Sequence, residues 1–261
     1  MIFPFSEHIP RTALVTAGGA RLGRAISLAL AKAGFAVAIH YRGGHKAAEA
    51  TLRDIEAAGG RGCLLHADLS REEETGQLIE RAEASLGKVG VLVNNASVFE
   101  RDEWDDATRE GWDSHFEPNL RAPFVLIQKF ALALPHDAEG LVLNMTDERV
   151  WSLTPHFMTY TLTKSALWTL TQTMALALAP KNIRVNAIGP GPALPSPRQT
   201  QEQFERQCAS VPLGHGTSPE EVARAALTLL ALPSVTGQML ALDGGQHLQW
   251  SPSMSAGPAA E

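Results

Sequence analysis

The sequence predicts an α/β fold: a single doubly wound parallel sheet of about seven strands with helices on both faces. Three observations carry this. Short apolar runs alternate with segments of helical period from residue 12 to residue 242. The runs lack the every-second-residue polarity of a half-exposed sheet, as expected when helices cover both faces. No linker-like break in composition and no internal repeat divides the 261 residues.

Residues 12–16 (TALVT) read as the first strand. Residues 21–33 follow as a helix, with Leu22, Ile26 and Leu30 at helical spacing and Gly34 as its stop. Strand 36–40 leads to helix 46–58, which ends at Gly59-Gly60. Strand 62–66 precedes a charged helix capped by Ser70, whose first turn holds Glu72, Glu73 and Glu74, where acids suit the helix dipole. Strand 89–93, a long helix over 112–134 and strand 140–145 come next. Helix 160–179, strand 183–188, helix 219–231 and strand 239–242 complete the pattern.

Composition narrows the function classes. Lys and Arg number 22 against 28 Asp and Glu, a net charge of −6, which argues against a broad surface for nucleic acid or anionic lipid. Two cysteines, Cys63 and Cys208, exclude a disulfide scaffold and a cysteine zinc site, and the nine histidines form no HExxH pair, so no metal is expected. The segment 1–10 has no basic stretch followed by an apolar core, and the most apolar window, 159–179, is interrupted by Lys164 and hydroxyls. A soluble, cytoplasmic domain over 11–250 is expected, between an N-terminal extension (1–10) and a flexible tail (251–261).

The turn Thr16-Ala17-Gly18-Gly19-Ala20-Arg21-Leu22-Gly23 joins the first strand to the first helix. It reads either as a tight connection or as a cradle whose amides and helix N-terminus meet a pyrophosphate. The second strand ends in His40-Tyr41-Arg42, with no acid to bond adenosine ribose hydroxyls. Arg42 and Arg21 would instead pair with a 2′-phosphate, favouring NADP(H) over NAD(H), unless both are ordinary surface arginines.

Tyr160 and Lys164, at i and i+4, share a helix face. The ammonium is expected to stabilise the phenolate, so that the hydroxyl exchanges protons near neutral pH. A bare Tyr-x-x-x-Lys also arises by chance.

From about Arg11 to Gln249 these landmarks resemble the short-chain dehydrogenases/reductases, a Rossmann-type family. The resemblance rests on the glycine turn, Asp68 after the third strand, Asn94-Asn95-Ala96 after the fourth, Asn119, Tyr160 and Lys164, Pro190-Gly191, and Asp243-Gly244-Gly245. Details are similar to the pteridine reductases, including bacterial dihydromonapterin and dihydrofolate reductases: Arg21 within the turn, Asn95-Ala96-Ser97-Val98-Phe99, and Asp147, thirteen residues before the tyrosine, where the wider family has serine. Thr146 is one residue out of register for that role.

The resemblance implies an NADPH-dependent reductase of a pterin C=N bond, with a proton relay through Tyr160, Asp147 and Lys164. It assigns Asn119 to a water in the relay and Asp68 to the adenine amino group. Cofactor contacts fall by position on Gly18, Arg21, Leu22, Gly23, His40, Tyr41, Arg42, Asp68, Leu69, Asn95, Ala96, Ser97, Tyr160, Lys164, Pro190 and Gly191. Substrate contacts fall on Arg21, Ser97, Phe99, Asp147 and Tyr160. A carboxyl group can pair with the guanidine-like edge of a pterin and pass protons to it, although Asp147 also reads as a loop or capping acid. Phe99 reads as a stacking ring over the substrate or as a core aromatic. Two positions depart from the family: Ala17 replaces the first glycine of the turn, and 190–197 is rich in proline. A homotetramer built on the helix bearing Leu162, Ala166, Trp168, Leu170 and Ala177 is also implied. A general carbonyl reductase and a catalytically silent NADP-binding protein are the alternatives.

Overall fold

Each apolar run forms a strand, and together they make a sheet ordered β3-β2-β1-β4-β5-β6-β7, with every neighbouring pair parallel. The strands are β1 (Thr12–Val15), β2 (Ala36–Tyr41), β3 (Gly62–His66), β4 (Val89–Asn94), β5 (Gly140–Met145), β6 (Ile183–Pro190) and β7 (Met239–Leu242). The computed structural model describes residues 4–196 and 198–248. The expected tail (251–261) lies outside the described residues, as does Pro197 of the proline-rich segment.

Successive strand residues point to opposite faces, so each strand feeds two cores. Ala13, Val15, Val91 and Val93 face α1 (Arg21–Lys32), α2 (His45–Ala57) and α9 (Pro219–Leu230), where Ile26, Leu30, Ile55 and Leu229 are buried. Leu14, Leu92 and Val142 face α4 (Leu78–Leu86), α6 (Ala122–Ala133) and α7 (Met158–Leu178), meeting Leu78, Leu126 and Phe130. Residues before the first strand join this packing. Ile9 is in the first core, and Phe5 meets Phe35 edge-on at 6.0 Å. The order reverses between β1 and β4, which opens a crevice at the carboxyl ends of the strands.

Two expectations are corrected, and one helix is added. The segment 112–134 is α5 (Arg109–Phe116), a π-helical turn (Glu117–Arg121) and α6, because Pro118 and Pro123 each remove an amide donor from the α ladder. Ser70 does not cap the charged helix α3 (Glu72–Gly76). Arg71 stands at the cap without a side-chain bond, and the Ser70 hydroxyl donates instead to Asp68 Oδ1 at 2.8 Å. A further helix, α8 (Gln201–Ser210), starts at a capping box made by Thr200 and Gln203. None of its residues is buried, so it leaves no apolar period to read. No helix among the described residues is long and apolar enough to cross a membrane.

Candidate active site

The glycine turn is shaped by close packing. A Cβ at Gly23 would meet the Ala17 carbonyl oxygen at 2.2 Å, one at Gly19 would meet Ala48 Cα at 2.6 Å, and one at Gly18 would meet Ser27 Oγ at 2.9 Å. Gly18 and Gly23 therefore fix the path of the backbone, while Gly19 and Ala20, which the sequence reading passed over, line the cavity. Ala17 has a positive φ of 49°, so the alanine stands where glycine is unstrained. The turn is braced from two sides. Thr16 Oγ1 accepts from the Asn95 and Ala96 amides at 2.8 and 2.9 Å, and the Asn95 carboxamide donates to Thr16 O at 2.9 Å. On the other side the Ala17 amide donates to His40 Nδ1 at 3.1 Å, and the Gly18 amide to His40 O at 3.0 Å. His40 Nε2 lies 3.1 Å from Ala67 O, which places the ring proton on Nε2. Burial holds this imidazole down to about 4, so it stays neutral.

A cavity of about 280 Å³ opens beside the turn, lined by Ala17, Gly19, His40, Tyr41, Arg42, Asp68, Leu69, Ala96 and Ser97. Arg42, mostly exposed, stands 4.0 Å from the Asp68 carboxylate. The Ser70 amide, bonded to Asp68 Oδ1 at 2.9 Å, holds that carboxyl below its ordinary range. Arg21 is not at this end. Its side chain donates to the Pro195 carbonyl at 3.1 Å and lines the opposite end of the cleft, so Arg21 and Arg42 do not flank one phosphate position. Arg21, with a φ of 49°, begins α1 beyond the bend, and its guanidinium reaches the Leu194 and Pro195 carbonyls in the segment after β6.

Ser97 links this cavity to the next, which is lined by Arg21, Leu22, Asn95, Asp147, Tyr160, Lys164, Pro190 and Gly191. A third cavity shares Arg21, Asp147 and Tyr160 and extends to Phe99, Arg149, Gln199, Gln207 and Gln246. The three form one cleft across the strand ends. A Cβ at Gly191 would meet Asp243 Cα at 2.8 Å, and the Asp243 carboxylate bonds the Gly245 and His247 amides, so the turn after β7 closes this side.

Tyr160 and Asp147 meet at its centre: the phenol donates to Asp147 Oδ2 at 2.8 Å. Asp147 also caps a short 3-10 turn (Glu148–Val150) by accepting from the Arg149 amide at 2.9 Å, as its reading as a capping acid expects. The expectation that Lys164 draws Tyr160 toward its phenolate is corrected. Burial first, and the Asp147 charge second, push the phenol well above its ordinary value, so it carries its proton. Lys164 Nζ donates to Met145 O at 2.7 Å, and burial lowers its ammonium to about 8. Thr146, as expected, points away: its hydroxyl donates to Ile188 O at 3.0 Å.

Phe99 stacks on Phe157 with centroids 4.6 Å apart and planes at 8°, and meets Tyr160 edge-on at 4.7 Å. Phe157 has a φ of 56°, unusual for a bulky side chain. Asp102 holds it there: its carbonyl accepts from the Phe157 amide at 3.0 Å, and its carboxylate accepts from the Thr159 amide and hydroxyl. Asn119, in the π turn, spans from Val98 to α7. Its Oδ1 accepts from the Val98 amide at 2.7 Å, and its Nδ2 donates to Val98 O and Thr163 Oγ1. Sequence reasoning missed Arg149, Phe157 and Asp102, for which no local signal exists.

The cleft fits a dinucleotide. Glycines whose Cβ positions are occupied let the turn amides approach a pyrophosphate, and an arginine marks the far end. Over residues 18–247 the sequence matches the family model described as enoyl-(acyl carrier protein) reductase. The structure of the FolM alternative dihydrofolate reductase 1 from Brucella canis, complexed with NADP, superposes with a TM-score of 0.90 at 44% identity, over 95% of this chain and 98% of that one. The 3beta-hydroxysteroid dehydrogenase 1 of Eggerthella lenta is 32% identical over 91% of this chain and 94% of its own length. The 3-oxoacyl-[acyl-carrier-protein] reductase FabG of Staphylococcus epidermidis is 28% identical over 91% of this chain and 99% of its own. With its parallel sheet, its braced glycine turn and these matches along nearly its whole length, the chain belongs to the short-chain dehydrogenase/reductase family.

Proposed function

We propose that this chain is an NADPH-dependent reductase of a pterin C=N bond, acting on a dihydropterin, dihydromonapterin or dihydrofolate. The observation that carries the reading is the Asp147 carboxylate, 2.8 Å from the Tyr160 hydroxyl, where a reductase of simple carbonyls needs only a neutral donor. The FolM structure resembled here is named a dihydrofolate reductase and holds NADP, which supports the same substrate class and cofactor.

The glycine turn and the Asn95-Ala96-Ser97 segment would hold the pyrophosphate, and Arg42 the 2′-phosphate. Lys164 and the Pro190-Gly191 edge would line the nicotinamide end. When bound, the cofactor supplies the hydride. Tyr160 supplies the proton: its hydroxyl, held protonated, faces the substrate cavity and delivers to the ring nitrogen while hydride adds to carbon. Asp147 orients that hydroxyl and offers its carboxylate to the amino edge of the pterin. Phe99, pinned by Phe157, forms an aromatic wall of the cavity.

The test is NADPH oxidation against dihydrobiopterin, dihydromonapterin, dihydrofolate and a panel of ketones. Turnover with the dihydro compounds supports the reading. Turnover with ketones alone replaces it with the carbonyl reductase suggested by the hydroxysteroid and 3-oxoacyl relatives, and no turnover supports a silent binding protein.

A further inference from the structure

The Tyr-x-x-x-Lys pattern leads one to look to Lys164 for the charge that governs Tyr160. The geometry points elsewhere. We propose that Arg149 is a positioning residue of the proton-donating pair: its guanidinium neutralises the Asp147 carboxylate and keeps it turned toward the Tyr160 hydroxyl. This rests on the reading of Tyr160 as proton donor.

Arg149 Nη1 lies 3.3 Å from Asp147 Oδ2 and 3.4 Å from Oδ1, while the Arg149 backbone amide holds Oδ1 at 2.9 Å. Oδ2 receives the Tyr160 hydroxyl at 2.8 Å, so one residue grips the carboxylate by charge and by amide and presents one oxygen to the phenol. Both side chains of the ion pair are only 14% exposed, which leaves little solvent to screen their attraction. The guanidinium is held in turn by aromatic rings. Its carbon lies 5.5 Å from the Phe99 centroid and 5.4 Å from that of Phe157, the two rings that stack on each other. The strained backbone of Phe157 therefore helps to place this cation.

Lys164 lines the same cavity but bonds neither member of the pair. Its ammonium bonds Met145 O and lies 5.6 Å from the Tyr160 ring. The other charged or titratable groups around Tyr160 are Glu148 on the same 3-10 turn, bonded to Gln246, His115 on α5 with its ring 6.4 Å from the phenol ring, and Arg21 across the cavity. Burial and the Asp147 charge disfavour the phenolate, and Arg149 opposes them. Without Arg149, an unneutralised carboxylate would face the hydroxyl that must release a proton.

The experiment compares wild type, Arg149→Lys and Arg149→Met. The first readout needs neither cofactor nor substrate. The chain has two tyrosines, so ¹³Cζ labelling gives two resonances, and the one lost in Tyr160→Phe belongs to Tyr160. That resonance senses the partner of the hydroxyl. In Arg149→Met it should shift from its wild-type position as the carboxylate turns away from the hydroxyl, and Arg149→Lys should lie between them. The second readout is NADPH-dependent turnover with whichever compound the wild type reduces. Arg149→Met should lower kcat about 100-fold, with NADPH affinity unchanged. Identical resonances together with unchanged kcat would overturn the proposal. So would equal losses in the Lys and Met variants accompanied by a lower Tm, the signature of a purely structural role. A wild type that reduces no dihydropterin refutes the proposed function and leaves the resonance experiment to decide the role of Arg149.

Discussion

The neutral His40 makes the nucleotide end of the cleft sensitive to acid. Its Nδ1 accepts from the Ala17 amide, and its Nε2–H donates to Ala67 O, a pattern that only the uncharged ring can make. Burial lowers its value from 6.5 to about 4, so between those values the unfolded chain binds a proton that the folded chain refuses. Stability from this group is complete above about pH 6.5 and is lost as pH falls toward 4. The shift corresponds to roughly 3 kcal/mol in total, of which about 2 kcal/mol disappears between about pH 7 and about pH 5. The perturbation is His40→Gln, whose carboxamide can still accept from Ala17 and donate to Ala67 but cannot titrate. Urea unfolding of both proteins at the two pH values measures the difference. The wild type should lose about 2 kcal/mol more than the variant on acidification, with similar m-values. Equal acid sensitivity in the two proteins would show that His40 is not the group responsible.

Three further outcomes follow from the geometry. Tyr160→Phe removes the proposed proton donor, so turnover should fall about 10²- to 10⁴-fold while NADPH binding, followed by fluorescence, is retained. Arg42→Ala should weaken NADPH by roughly tenfold and leave NADH nearly unchanged in the same titration; an unaltered preference removes its phosphate role. Ala17→Gly relieves a positive φ costing about 1–2 kcal/mol and adds about 0.5–1 kcal/mol of backbone entropy, so thermal unfolding should show an unchanged or modestly raised Tm.

What the sequence made legible was what is local. The apolar runs located the seven strands of the described residues, with β1, β2 and β4 ending one residue and β6 two residues away from the expected bound, because a covered parallel strand is a continuous apolar segment. The thirteen-residue interval placed Asp147 against Tyr160, and the structure joins them by a hydrogen bond. The arginines were harder. Arg21 and Arg42 look alike as neighbours of a glycine turn, but the bend at Arg21 sends one to each end of the cleft. Arg149, Phe157 and Asp102 acquire their roles only when the loop after β4 folds against the start of α7, a tertiary contact with no periodic trace. The helix α8 was hidden because it buries nothing, and Ser70 resembled a cap until Asp68 claimed its hydroxyl.

Whether Asp147 selects the substrate is the central question, and exchanging it for the serine of ordinary family members asks it directly. The measurement is kcat/KM for NADPH-dependent reduction of a dihydropterin and of a ketone by wild type and Asp147→Ser. The wild type should reduce the dihydropterin and leave the ketone, and the variant should lose about 100-fold or more on the dihydropterin while its ketone activity holds or rises. A wild type that reduces only the ketone, or a variant that keeps full dihydropterin activity, would contradict the account.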